Sequence, residues 1–411
     1  MKTPIPQEIR AEHSGSAPEQ RPRTGKRPHL RFLDGIRGLA ALYVALFHAT
    51  SFEGGDTLSP ALRAVADFFR FGHLAVGVFI VLSGFCLMLP VVLAGGSAPR
   101  NFPEYLRRRA WRILPPYYAA FALSVACLTA GLAFRQTGVV VGEELRNGLS
   151  PGTIVSHLLL LHNLRFDWAH SINAPLWTVA TEWQIYFLFP LVLLPVWKRF
   201  GRLAVVGLGL GLGLSPLLLL PPAHNLSWAG PWYLGLFALG MVTADYSLGS
   251  EDARGSKPLP AQVGFLSLAL LAVLCLLPPF AVPLWLPDVI LGLTTASLIA
   301  FCTMGARSDS GEKGPLLLKM LQSRPVAGLG AFSYSLYLIH HPLQRGILRV
   351  LQTCNLSADL TLCTQLFVSM PLIIGLAYLF HRAFELPFIS RNQRTAEKRP
   401  VPKSLALGAR D

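Results

Sequence analysis

Three ionisable residues stand inside otherwise apolar runs. Arg37 and His48 share LDGIRGLAALYVALFHATSF, and Glu182 interrupts NAPLWTVATEWQIYFLFPLVLLP. A charged or titratable group in a lipid-length apolar segment is costly, and it marks a substrate path or a catalytic site. Eleven residues separate Arg37 from His48, which on a helix is about 16 Å of rise and three turns, returning both side chains to nearly the same face. A guanidinium at one end and an imidazole at the other can grip the two ends of one long ligand. Imidazole is suited to moving protons at neutral pH, and a carboxylate is a common orienting partner for it. His48 and Glu182 fall at a similar depth in their runs, so they are expected to pair as base and orienting group. Taken alone, His48 serves an interhelical hydrogen bond just as readily. For Glu182 a purely packing role is the weaker reading, because burying a carboxylate is expensive.

Two further stretches carry polar groups. FGHLAVGVFIVLSGFCLMLP places Gly72, Gly77 and Gly84 on a smooth face that another helix or an extended ligand can approach closely. Ser83 lies on the same run as a lining residue, since no GxSxG elbow accompanies it. RNFPEYLRRRAWRILPPYY clusters Arg107, Arg108, Arg109 and Arg112. Arg109 and Arg112 are neighbours on a helix surface and suit phosphate through charge-assisted hydrogen bonds. Lipid headgroups and a nucleotide-containing donor both meet that chemistry.

The elements that must position these residues are membrane helices. Of the 411 residues 52% are hydrophobic and only 14% charged, a balance that points to a membrane protein. Apolar runs of about 17 to 23 residues match the length a helix needs to cross a bilayer core, and no alternating ten-residue pattern suggests a barrel. The expected fold is an all-α polytopic bundle of about ten transmembrane helices, near 36–52, 72–94, 113–134, 175–197, 203–221, 231–246, 260–279, 284–304, 328–351 and 363–383. A shorter run at 154–161 reads as interfacial or re-entrant. With the N- and C-termini cytoplasmic, 28 of the 36 Lys and Arg residues fall on the inner side, as the positive-inside rule requires. The net charge of +14 is then mainly a topology signal. Its spread over six segments argues against nucleic acid as a partner. Residues 1–30 and 393–411 are expected to be basic cytoplasmic tails, the first disordered, flanking a membrane domain at 31–392. The six cysteines show no paired spacing that would hold a metal. Cys354 and Cys363 flank the last outer loop, and both a disulfide and two unpaired thiols fit their positions.

Taken in order from Arg31 to Asn392, these segments resemble the acyltransferase 3 family of membrane O-acyltransferases. The resemblance rests on Arg37 and His48, on GVFIVLSGF, on RAWRILPPYY with Arg109 and Arg112, and on WTVATEWQIYFLFP with Trp177, Glu182 and Tyr186. FSYSLYLIHHPL and a terminal FELPF containing Glu385 complete it. It implies acyl transfer, usually acetyl, from cytoplasmic acetyl-CoA or another acyl-CoA to a hydroxyl of a carbohydrate or sugar-bearing metabolite. Exopolysaccharide, lipopolysaccharide O-antigen or a glycosylated metabolite would serve, in a bacterial inner membrane. Catalysis would fall to His48 and Glu182. Arg37, Arg109, Arg112, Ser83 and Gly84 would hold the coenzyme, and Trp177 and Tyr186 the acceptor. A polytopic secondary transporter also carries isolated Arg, His and Glu in its spans, but it predicts inverted repeats, and the two halves of this chain are not convincingly similar.

Overall fold

The computed structural model describes residues 30–52, 57–97, 101–135, 149–222, 224–249, 260–276, 282–307 and 315–389. Both expected tails lie almost wholly outside these residues. The described residues are helical with no strands, as a chain must be if its backbone polar groups are to pair without water. Among the described residues, six helical stretches are long and apolar enough to cross a membrane: Arg31–Thr50, Pro60–Leu93, Phe102–Ala130, Leu176–Leu219, Trp285–Ala306 and Ala358–Ile389.

The first is α1 (Arg31–Thr50), a continuous helix without proline. A short α2 (Pro60–Phe69), with none of its residues buried, leads into α3 (Ala75–Leu93). The long α4 (Phe102–Arg135) follows, then α5 (Pro151–Leu158), whose Ser150 N-cap accepts from the Thr153 amide. The chain next forms α6 (Leu176–Leu188). Its helical ladder widens to a π turn over Phe189–Leu193, where Pro190 offers no N–H, and resumes as α7 (Leu194–Leu219). Gly201 sits in α7 at φ 84° and ψ −168°, outside the helical region. This break lies between the two spans expected at 175–197 and 203–221. Helices α8 (Tyr233–Leu248), α9 (Pro260–Leu276), α10 (Trp285–Arg307), α11 (Arg324–Ala331), α12 (Ser333–Thr353) and α13 (Met370–Phe380) complete the elements used below. The segment at 154–161 is the end of α5 and the turn after it. It is held to α4 by Tyr117 and Tyr118, whose hydroxyls donate to the carbonyls of His157 and Leu158, both at 2.8 Å.

Glycine sets the closest crossings. A Cβ on Gly84 would lie 2.0 Å from the Phe237 carbonyl oxygen, and one on Gly240 would lie 2.0 Å from that of Val81, so α3 and α8 meet backbone to backbone. A Cβ on Gly330 of α11 would likewise sit 2.0 Å from the Asp34 carbonyl of α1. Without a large hydrophobic drive between helices in lipid, such small-residue contacts supply the packing. Gly84, expected to hold the coenzyme, is where the α8 backbone packs on α3. The six cysteines are all free thiols, Cys354 and Cys363 included.

Candidate active site

At one end of α1 a cationic group assembles. Arg37 pairs with Asp34 at 3.2 Å, one helical turn earlier, and its other terminal nitrogen reaches the Cys86 sulfur of α3 at 3.7 Å. Arg112 lies within electrostatic reach of Arg37, Arg109, Tyr186 and Glu385. The Arg109 Nε is buried with no hydrogen-bond partner among the described residues. Three guanidiniums so grouped repel one another, and an anion placed among them would relieve that repulsion. The sequence singled out all three, and the structure brings them together.

Glu182 belongs to this end of the site. Its Oε1 accepts from the Ser83 hydroxyl and from the Tyr186 hydroxyl at 2.5 Å. Arg37, Tyr105 and Tyr334 also lie within its electrostatic reach. Ser83 and Cys86 are one turn apart on α3, so Glu182 and Arg37 meet the same stretch of that helix. No hydrogen bond joins Glu182 to His48, and the expected base–carboxylate pair is not formed. Tyr186, expected beside the acceptor, is 5% exposed, and its hydroxyl donates to Glu182.

His48, three turns along α1, is met by α12. Its ring lies 4.9 Å from that of His341 at an interplanar angle of 74° and 5.3 Å from that of His340 at 41°. The Gln344 amide donates to the Ala45 carbonyl at 2.8 Å and fixes α12 against α1 in this register. His340 is fully buried and donates from Nδ1 to the Leu336 carbonyl at 3.1 Å. His48 and His341 are both part-exposed. Arg345, one turn beyond His341, is within electrostatic reach of both rings, as is His170 of His341. FSYSLYLIHHPL was part of the family pattern, but no role followed from it. Two adjacent imidazoles in an apolar run were the available signal.

Trp177 opens the side nearest His170, their rings 6.3 Å apart. It is part-exposed and stacks on Tyr233 of α8 at 6.0 Å and 17°. Behind it, the buried Asp288 of α10 accepts from the Trp232 indole at 2.8 Å. Asp288 was not singled out from the sequence, although it too is a carboxylate in an apolar run. No group of three or more metal-ligating side chains occurs among the described residues.

Comparison with known proteins bears on this arrangement. Residues 30–382 match the acyltransferase 3 family model, described as an acyltransferase domain. Protein 2 in the picA locus of Rhizobium radiobacter is 29% identical over 177 residues, 42% of this chain and 83% of that protein. The O-acetyltransferase OatA of Staphylococcus aureus is 24% identical over 334 residues, 77% of this chain and 50% of OatA. The chain thus spans half the length of OatA. No solved structure matches. Because the family match runs unbroken through both ends of the site on α1 and on to α13, the chain belongs to the acyltransferase 3 family of membrane O-acyltransferases.

Proposed function

We propose that this protein is an O-acetyltransferase that takes acetyl from acetyl-CoA bound at its cytoplasmic side and delivers it to a hydroxyl of a carbohydrate or sugar-bearing acceptor. The observation that carries this reading is the bipolar site on α1, with three arginines at one end and a part-exposed imidazole three turns away. Arg37, Arg109 and Arg112 take the phosphates of the coenzyme through charge-assisted hydrogen bonds. An extended pantetheine arm spans the remaining length of α1, bringing the thioester to His48. His48 removes the proton from the acceptor hydroxyl as its oxygen attacks the thioester carbonyl carbon. The new C–O bond forms, the tetrahedral adduct expels the coenzyme sulfur as the C–S bond breaks, and the proton on His48 passes to that sulfur. Trp177 offers a face on which a sugar ring can lie.

Glu182 works at the arginine end. Its charge balances Arg37, and its bonds to Ser83 and Tyr186 fix the wall between α3 and α6. The chain in this reading crosses a bacterial inner membrane about ten times with both termini cytoplasmic. The family match favours transfer chemistry over solute transport.

The test is transfer of labelled acetyl from acetyl-CoA to glycans or glycosylated metabolites in membranes containing the protein, beside His48→Ala at equal abundance. Loss of general base catalysis lowers transfer by about 10²- to 10⁴-fold. Equal transfer by the variant overturns His48 as the base. Absence of transfer by the unaltered protein with every acceptor offered overturns the acetyltransferase reading.

A further inference from the structure

His48 stands on α1 and Trp177 on α6, and α12 is hydrogen-bonded to the chain beside each. On the α1 side, the Gln344 amide donates to the carbonyl of Ala45, one turn before His48. On the α6 side the joint is Tyr337, two turns before Gln344. Its hydroxyl lies 2.7 Å from the Thr178 hydroxyl and 3.2 Å from the Pro175 carbonyl oxygen. The Thr178 hydroxyl is in turn 3.0 Å from that same carbonyl, so three oxygens form a closed ring. Tyr337 and Thr178 are both buried, where a hydroxyl must find a partner inside the protein, and each is satisfied within this ring. Pro175 and Thr178 flank Trp177 in sequence. Just before them, the Asn173 amide donates to the Leu338 carbonyl at 3.0 Å, a second bond between the same two stretches. The Tyr337 ring also reaches the imidazole end, 5.8 Å from that of His340.

We infer that Tyr337 is a positioning residue of the acceptor side, its hydroxyl fixing the turn that carries Trp177 at a set distance from the imidazoles of α1 and α12. This rests on the reading of Trp177 as the acceptor's platform and of His48 as the base. Tyr337 needs no contact with donor or acceptor in this role. It works through Thr178 and Pro175, and a misplacement of about 1 Å between reacting groups can cost on the order of 100-fold in rate.

The test compares the full-length protein with Tyr337→Phe, which keeps the ring, with Thr178→Val, and with Thr178→Ser, which keeps the hydroxyl. All are checked for unaltered elution in detergent. The acceptor is whichever glycan or glycosylated metabolite the unaltered protein labels. For Tyr337→Phe and Thr178→Val, kcat/KM for that acceptor is expected to fall about 10- to 100-fold, with the KM for acetyl-CoA unchanged. Thr178→Ser should recover most of the loss. An unchanged kcat/KM for the acceptor, an equal loss on the acetyl-CoA side, or Thr178→Ser no better than Thr178→Val overturns the inference. A second readout does not need transfer. Hydroxyl radicals oxidise exposed indole, and mass spectrometry compares oxidation of Trp177 with that of Trp197 on α7. A changed ratio in Tyr337→Phe, restored in Thr178→Ser relative to Thr178→Val, supports the lock, and equal ratios in all four proteins overturn it. If the unaltered protein transfers no acetyl to any acceptor, the functional reading fails while the oxidation ratios still decide whether Tyr337 sets the place of Trp177.

Discussion

Glu182 shows how a single carboxylate can be recognised from sequence and still be given the wrong neighbour. Its cost inside an apolar run marked it for a role, but the sequence does not record the azimuth at which one helix faces another. His48 and Glu182 share a depth, whereas the bonds of Glu182 run to Ser83 and Tyr186. Hydrogen bonds to a charged group contribute about 1.5–3 kcal/mol each. Ser83→Ala and Tyr186→Phe are therefore each expected to weaken acetyl-CoA binding by about 10- to 100-fold, read as a raised KM in steady-state kinetics. Arg109→Ala should act in the same direction, raising KM with little change in kcat, since it removes a contact made equally in ground and transition states. A collapse of kcat at unchanged KM in these variants would place them at the chemistry instead. Arg109 and Arg112 were legible as a pair because spacing on one helix decides adjacency. His340 and His341 were not, because their place beside His48 depends on a contact between two helices nearly three hundred residues apart in sequence.

At the scale of elements, the glycines of α3 were visible as a smooth face, and the structure decides what lies on it. That face receives the α8 backbone at Gly84, so a side chain there must separate two helices. Gly84→Ala places a Cβ 2.0 Å from a carbonyl oxygen and is expected to cost about 1–3 kcal/mol as overpacking. A lowered midpoint of thermal unfolding in detergent would show it. Gly207→Ala on α7 meets nothing within 4 Å and serves as the control, with no fall expected. Outside the candidate spans, the run at the end of α5 was expected to be interfacial or re-entrant, and it is stapled to α4 by two tyrosines. Burial pushes its His157 down to about 4. A histidine held neutral in the folded state contributes stability that is present above its unfolded pKa of about 6.5. That stability is lost as pH falls toward 4. Unfolding midpoints should therefore drop on acidification from pH 7 to 4, and less steeply in His157→Gln. Identical slopes in the two proteins would show that other groups govern the acid limb.

For the whole molecule, hydropathy was enough to establish a helical membrane protein, because lipid permits little else. Helices lie in the expected intervals, but among the described residues only six stretches satisfy length and apolarity together, one of them, Leu176–Leu219, covering two expected spans. The rest are shortened or made more polar by residues such as those of α12, whose apolar character is diluted where the site needs imidazoles. Orientation rests on the charge asymmetry and is open to a direct check. In a variant keeping Cys354 as its one cysteine, an impermeant maleimide should label intact cells. Ser404→Cys in an otherwise cysteine-free chain should be labelled only after permeabilisation, and the reverse pattern would invert the topology. The continuity of α1 carries one more consequence. Arg37 and His48 are borne on a single unbroken helix, so the interval between phosphate anchor and base is set by residue count alone and does not depend on how other helices shift. In the proposed reaction the helix is a ruler for the donor. Inserting one alanine after Ala41 would turn His48 by about 100° and lengthen the interval by about 1.5 Å, uncoupling a bound coenzyme from its base while removing neither side chain.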